Sequence, residues 1–127
     1  MIKSSFFKPC DSIMTYETHS GTDIGCVRKL NEDSLLVAPD SGLWTVADGM
    51  GGHSSGDFAS QTIVYELSTV GIPTGAIDLR ARVIARLANA NTQILTHANS
   101  LGGQTVGSTV VSLLVYHNKF ACIWSGD

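Results

Sequence analysis

Cysteine is scarce in this sequence, and its scarcity excludes two kinds of small scaffold. Its three cysteines, Cys10, Cys26 and Cys122, are odd in number and scattered, with no C-x-x-C pair among them. A disulfide framework needs paired cysteines, and a zinc knuckle needs closely spaced ones. The cysteine usage therefore favours a reducing compartment, and we expect a cytoplasmic protein.

Charge is also scarce, and neither sign dominates. Charged residues make up 15% of the 127 residues and the net charge is −3, so there is no basic excess of the kind that nucleic-acid binding requires. Long apolar runs are missing too, and we expect neither a signal peptide nor a membrane span. The apolar share of 43% predicts a folded, globular chain.

The hydrophobic periodicity divides the chain into a lead-in and one domain that contains both strands and helices. We expect residues 1–20 to form an N-terminal lead-in with a first strand at 12–18, and residues 21–127 to form the domain. Two helices, packed side by side on a sheet, follow a change of period from two to about 3.6. Strands are predicted at 34–38, 43–47, 109–116 and 119–124, and helices at about 59–70 and 77–99. The last two strands are expected to form a hairpin across a tight turn at His117-Asn118.

Arginines cluster near the start of the second predicted helix, at Arg80, Arg82 and Arg86. We interpret them as a solvated flank, with a docking surface for an acidic partner as the alternative.

The segment 44–53 (WTVADGMGGH) is where the chemistry is expected. Trp44 and Val46 favour a buried strand, and the glycines are expected to stop it, which places Asp48 at a strand end. Glycines after a carboxylate leave room for main-chain carbonyls to turn toward a hard divalent cation. The alternative is a tight turn with a solvated aspartate.

Three further polar residues are predicted to lie near Asp48. A hairpin between the strands at 34–38 and 43–47 would bring Arg28, Glu32 and Asp33 close to it. Three clustered carboxylates repel one another unless a cation neutralises them, and oxygen ligands favour Mg²⁺ or Mn²⁺ over Zn²⁺. Glu32 and Asp33 should face opposite sides of a strand, so we expect one at the metal and the other in a supporting position. The Arg28 guanidinium suits a phosphate, with an ion pair to Glu32 or Asp33 as the alternative.

A series of motifs gives the sequence a family resemblance. In order, they are Asp23-Ile24-Gly25, residues 28–33 (RKLNED), residues 46–56 (VADGMGGHSSG), Gly107-Ser108-Thr109 and Gly126-Asp127. Together they resemble the N-terminal portion of the metal-dependent protein serine/threonine phosphatases, the type 2C or PPM family, in its bacterial form. The resemblance covers roughly residues 22–127. It implies an α+β fold, a four-layer α-β-β-α sandwich of antiparallel sheets, here incomplete at the C-terminus.

The resemblance also implies roles for individual residues. Asp48 is similar to the carboxylate that bridges two catalytic Mn²⁺ or Mg²⁺ ions, and Gly49 to the residue whose carbonyl binds one of them. Glu32 resembles the acidic residue near the second ion, and Asp33 its neighbour in the water shell. Arg28 resembles the phosphate-binding arginine. Asp127 falls where the family has an aspartate that helps to hold a third ion.

The implied reaction is hydrolysis of phosphoserine or phosphothreonine in proteins by a metal-bound water. The implied partners are phosphorylated proteins, a serine/threonine kinase and its targets, with no nucleic acid and no membrane.

Two departures from the family pattern affect the expected chemistry. Met50 occupies the position of a histidine proposed as general acid in other members, and a thioether cannot donate a proton. His53 is a candidate for that role, as is a metal-bound water. Two metal-binding aspartates that the family has further downstream are missing, so we expect the 127 residues alone to be inactive.

Two other functions are alternatives to an enzyme. One is a truncated, non-catalytic module that binds a phosphoprotein or another partner. The other, a calcium-binding loop, fails because the sequence has no D-x-D-x-D spacing with a trailing Glu.

Overall fold

A computed structural model describes residues 2–5, 8–9, 16–52 and 55–126, with the backbone alone at residues 8–9. All the described strands join one antiparallel sheet in the order β1-β6-β5-β4-β3, with β2 also paired to β6. The strands are β1 (Lys3–Ser4), β2 (Lys8–Pro9), β3 (Asp33–Ala38), β4 (Leu43–Gly51), β5 (Val106–Tyr116) and β6 (Lys119–Ser125). The helices are α1 (Ser55–Ser68) and α2 (Ala76–Ser100).

Two tight connections set the register of the central strands. β3 and β4 are joined by a single 3-10 turn, Pro39–Ser41, and by Gly42 at φ 68°. A Cβ on Gly42 would collide with the Val115 carbonyl, so a side chain is excluded there for steric reasons as well. β5 and β6 are joined through His117, at φ 53°, and Asn118. Both hairpins were predicted from the sequence, and both are confirmed.

The two helices cover one face of the sheet and bury the core against it. Their predicted apolar stripes point inward, as the 3.6-residue period requires. The core consists of Leu43, Ala47, Ala59, Ile63, Leu67, Val70, Leu79, Val83, Leu87, Ala90, Ile94, Val110, Leu114, Ala121 and Ile123.

The opposite face of the sheet, called here the open face, carries apolar side chains that no described helix covers. Val46 is 60% exposed and its cross-strand partner Val111 is 55% exposed. The segment 16–21 runs over part of this face: Trp44 Nε1 donates to Thr18 Oγ1 at 3.0 Å, and the Tyr16 ring meets the Trp44 ring edge-on. The described residues thus form one sheet layer and one helix layer.

Two expectations differ from the structure. β4 does not end at Ala47 but runs on through Asp48 to Gly51, because β5 pairs with it along that whole length. Part of the predicted strand at 12–18 lies outside the described residues, and residues 16–18, which are described, are in no strand. The lead-in instead contributes β1 and β2 at the edge beside β6. The proposed division at residue 20 stays a prediction.

None of the described helices combines the length and the apolar character that are needed to cross a membrane.

Candidate metal centre

Asp33 and Asp48 form a cross-strand pair on the open face. They are direct partners in the β3–β4 ladder, and both are exposed. Directly opposed residues have Cβ atoms roughly 4.5–5.5 Å apart, and two like charges at that separation destabilise the sheet. A divalent cation between the two carboxylates would remove this repulsion. The predicted approach of Asp33 to Asp48 is therefore confirmed, through strand register.

Glu32 lies on the other side of the chain, against the start of α1. Its carbonyl oxygen accepts a hydrogen bond from the Gly49 amide at 3.0 Å. Its carboxylate lies so close to Gly56 that a Cβ there would collide with it. Glu32 and Asp33 thus diverge, as neighbours at the start of a strand should. Of the two, Asp33 shares the face of Asp48.

The glycines after Asp48 allow close packing rather than ending the strand. A Cβ on Gly49 would collide with the Gly56 carbonyl oxygen and lie 2.9 Å from the Glu32 carbonyl oxygen. A Cβ on Gly51 would lie 2.8 Å from the Ser55 Cβ. The expectation that these glycines stop β4 is wrong. They let α1 begin directly against the strand that carries Asp48.

Ser108 fixes the backbone beside Asp48 from the neighbouring strand. Its Oγ donates to the Asp48 carbonyl at 2.9 Å and lies 2.8 Å from the Thr109 carbonyl. The sequence motifs contained both Ser108 and Gly56, but nothing in the sequence alone gave either a role. Their roles depend on contacts between segments far apart in the chain.

Arg28 lies in an exposed loop that leads into β3. The loop is shaped by a hydrogen bond from the Gly25 amide to Asp23 Oδ1 at 2.7 Å and by one from Asn31 Nδ2 to Thr22 Oγ1, also 2.7 Å. Within the described part of the chain, Arg28 forms no ion pair and no side-chain hydrogen bond. The alternative ion pair with Glu32 or Asp33 is not formed there. The guanidinium is free to meet an anion.

The remaining predicted site residues are placed less fully. His53 and Asp127 lie outside the described residues. Met50 is 56% exposed on the open face, two residues beyond Asp48. The roles assigned to His53 and Asp127 stay predictions.

The side chains near Asp48 fit a metal ion only in part. Among the described residues, no group of three or more His, Cys, Asp or Glu side chains is arranged to hold an ion. The Asp33–Asp48 pair offers oxygen ligands alone, on a face that an ion can reach, and this suits Mg²⁺ or Mn²⁺. The fit is partial, and these residues would hold an ion with water in its other positions.

Both sequence and structure comparisons find proteins similar to this chain. No family model matches the chain. It is 31% identical over 118 residues to the serine/threonine protein phosphatase PstP of Mycobacterium tuberculosis, a match that covers 91% of this chain and 22% of PstP.

Solved structures match the fold. PppA, described as a key regulatory component of T6SS in Pseudomonas aeruginosa, has a TM-score of 0.85 and 39% identity over 91% of this chain and 50% of PppA. The catalytic domain of PstP in complex with two manganese ions has a TM-score of 0.73 and 27% identity, over 99% of this chain and 48% of that domain. The chain thus spans about half the length of these solved relatives, and the expected fold is confirmed over that part.

Proposed function

Because the chain belongs to the metal-dependent protein serine/threonine phosphatase family (type 2C, PPM), we propose that it supplies one part of a phosphatase active site. The reaction proposed is hydrolysis of phosphoserine or phosphothreonine in proteins. The observation that carries the proposal is the Asp33–Asp48 pair on the open face, together with Arg28, which forms no ion pair and no side-chain hydrogen bond within the described residues. Two carboxylates and a guanidinium without such a partner suit a metal-assisted phosphate site.

Each residue has a distinct part in this proposal. Asp48 and Asp33 would hold Mn²⁺ or Mg²⁺ through carboxylate oxygens, helped by the Gly49 carbonyl. Glu32 would support the site from the side of α1, through the hydrogen bond between its carbonyl and the Gly49 amide. When bound, such ions lower the pKa of a water and neutralise phosphate oxygens. Arg28 binds the phosphate through its planar fork of N–H donors. His53 is proposed as the proton donor, and Asp127 as a ligand that helps to hold a further ion.

The test of the metal assignment is a titration of the purified chain with Mn²⁺ by calorimetry. Asp48→Asn should weaken Mn²⁺ binding by about tenfold or more, because an anionic carboxylate that would hold the ion becomes a neutral amide. The matched control is Asp40→Asn, since Asp40 is an exposed aspartate in the 3-10 turn at the other end of β4. Equal affinity in the wild type and in Asp48→Asn would overturn the assignment.

A second candidate function is a non-catalytic module that binds a phosphoprotein. It is favoured by the small donor set of the described residues, since two carboxylates and one carbonyl, each giving one oxygen, leave about half of six coordination positions to water. We therefore expect the 127 residues to bind Mn²⁺ weakly and to show no turnover of a phosphothreonine peptide. Turnover with two tight Mn²⁺ sites would favour the enzyme over the module.

The proposal extends to partners and location. The substrates would be phosphoproteins, as the phosphatase names of the relatives suggest. We propose that the targets of a serine/threonine kinase are among them. The free thiols of Cys26 and Cys122 suit a reducing compartment, and we propose the cytoplasm.

A further inference from the structure

The loop that carries Arg28, residues 22–31, has almost nothing buried to hold its shape. Every residue from 21 to 30 is exposed, and Val27 is 93% exposed. An exposed loop without apolar anchors keeps one conformation only through hydrogen bonds and backbone preference. Gly25, at φ 72°, supplies the backbone preference at the turn.

One hydrogen bond closes this loop at its two ends. Asn31 Nδ2 donates to Thr22 Oγ1 at 2.7 Å across nine positions of sequence. In the described structure, the other side-chain hydrogen bond inside the loop is the local one from the Gly25 amide to Asp23. We call the Thr22–Asn31 hydrogen bond the loop clasp.

Asn31 also joins the loop to the strand that carries the carboxylates. Its Oδ1 accepts a hydrogen bond from the Asp33 amide at 3.0 Å. Asp33 is the cross-strand partner of Asp48, and the Glu32 carbonyl between Asn31 and Asp33 accepts from the Gly49 amide. One side chain therefore contacts both the base of the Arg28 loop and the first residue of β3.

We propose that Thr22 and Asn31 are positioning residues, whose clasp holds the Arg28 loop in a fixed position relative to the Asp33–Asp48 pair. Because the clasp orders the loop in advance, Arg28 can contact a phosphoryl group bound at that pair without the entropic cost of ordering the loop on binding. The inference rests on the proposed function, because it assigns Arg28 to phosphate. The clasp makes phosphate affinity depend on the Thr22 hydroxyl, which contacts neither the phosphate nor the metal.

The test separates the two hydrogen bonds of Asn31. Thr22→Val removes the clasp alone, whereas Asn31→Ala removes the clasp and the acceptor for the Asp33 amide. Thr22→Ser keeps the hydroxyl and serves as the rescue variant. Thr96→Val is the matched control, since Thr96 is an exposed threonine of α2 whose hydroxyl donates locally to the Thr92 carbonyl.

The phosphate affinity, the Mn²⁺ affinity and the flexibility of the loop are measured for each variant. Inorganic phosphate is titrated by NMR in saturating Mg²⁺, Mn²⁺ is titrated by calorimetry, and backbone order parameters are measured for residues 23–30. Thr22→Val should raise the phosphate Kd roughly two- to tenfold, the range of one hydrogen bond, with the Mn²⁺ Kd unchanged. Its order parameters should fall. Asn31→Ala should weaken both affinities, and Thr22→Ser and Thr96→Val should behave as wild type.

A double variant shows whether the clasp acts through Arg28. Arg28→Ala should weaken phosphate binding by itself, and adding Thr22→Val should then have no further effect. The proposal is overturned by an undiminished phosphate affinity in Thr22→Val, by no rescue in Thr22→Ser, or by an additive double variant. If the wild type binds Mn²⁺ but not phosphate, the clasp proposal fails and the metal centre stands. If it binds neither, the proposed function fails and the clasp proposal fails with it.

Discussion

At the scale of single residues, the site depends on positions where a side chain is missing. Gly49 and Gly56 approach each other so closely that a Cβ on Gly49 would collide with the backbone of Gly56. On the other side, a Cβ on Gly56 would meet the end of the Glu32 side chain. Displacing backbone atoms costs more free energy than rotating the end of a glutamate side chain. The two glycines therefore constrain the site in different ways.

Gly49→Ala should destabilise the protein more than Gly56→Ala. Overpacking against backbone typically costs about 1–3 kcal/mol, and the free energy of unfolding from urea titrations should fall by at least that amount for Gly49→Ala. Gly56→Ala should cost less, because Glu32 can rotate away. Gly21→Ala is the control, since a Cβ on Gly21 meets nothing within 4 Å. Equal losses for the Gly49 and Gly56 variants would contradict this steric account.

At the scale of elements, side chains join the helices to the strands and turns around them. Ser34 Oγ on β3 and Ser60 Oγ on α1 form a hydrogen bond of 2.9 Å. Ser34 is the residue that follows Asp33 in the chain. The arginines interpreted as a solvated flank are in part structural. Arg82 donates to the Val70 carbonyl at 3.0 Å and pairs with Asp78 at 2.9 Å, while Arg80 donates to Ser4 Oγ. Arg80 and Arg82 are therefore engaged within the chain.

The start of α2 should give the protein a pH-dependent stability. The Thr74 amide donates to Asp78 Oδ2 at 2.8 Å, and this hydrogen bond, followed by the one from Arg82, holds the pKa of Asp78 below its usual value. A folded-state pKa below the unfolded value stabilises the protein above roughly pH 4, and this contribution is lost as the pH falls further.

Asp78→Asn should therefore lower the urea midpoint more at pH 7 than at pH 3, because protonation of the carboxyl group at low pH removes the contribution of its charge. Asp40→Asn, at an exposed turn position, is the control at both values of pH. A midpoint difference between Asp78→Asn and wild type that is as large at pH 3 as at pH 7 would show that the carboxylate charge has no such role.

At the scale of the whole molecule, the two faces of the sheet differ sharply. Described helices bury one face, while the open face exposes the Val46–Val111 pair. Apolar surface of this kind favours association between molecules in water. The Asp33–Asp48 pair, which we propose as a metal site, lies on the same open face. This proposal requires that any surface packed on that face leaves the two carboxylates accessible to ions.

The purified chain should self-associate at high concentration through the open face. The double variant Val46→Thr and Val111→Thr keeps two β-branched residues opposite each other in the sheet, and it should reduce association measured by light scattering. Ile77→Thr is the control, because Ile77 is 85% exposed on α2, outside the sheet. Association that responds to Ile77→Thr and not to the valine pair would assign the contact to the helices.

Local residue patterns predict the secondary-structure elements of this chain, and its residue types predict the chemistry of the site. Period-two and 3.6-residue patterns predicted both hairpins and both helices, because side-chain burial follows the repeat of the backbone. Carboxylates beside glycines predicted an oxygen-ligated metal, because residue types determine ligand chemistry whatever the fold. The position of Asp33 near Asp48 could also be predicted, because a short turn fixes the register of the hairpin.

The length of β4 and the role of its glycines depend on contacts between elements that are distant in sequence. Gly49 and Gly51 favour a strand end locally, but pairing with β5 and packing against α1 outweigh that preference. The divergence of Glu32 from Asp33 was predictable from alternation, but which of them shares the face of Asp48 was not. The contacts of Gly56, Ser108 and the loop clasp join segments separated in sequence. Such contacts depend on how the chain folds back on itself, which no local pattern of residues records.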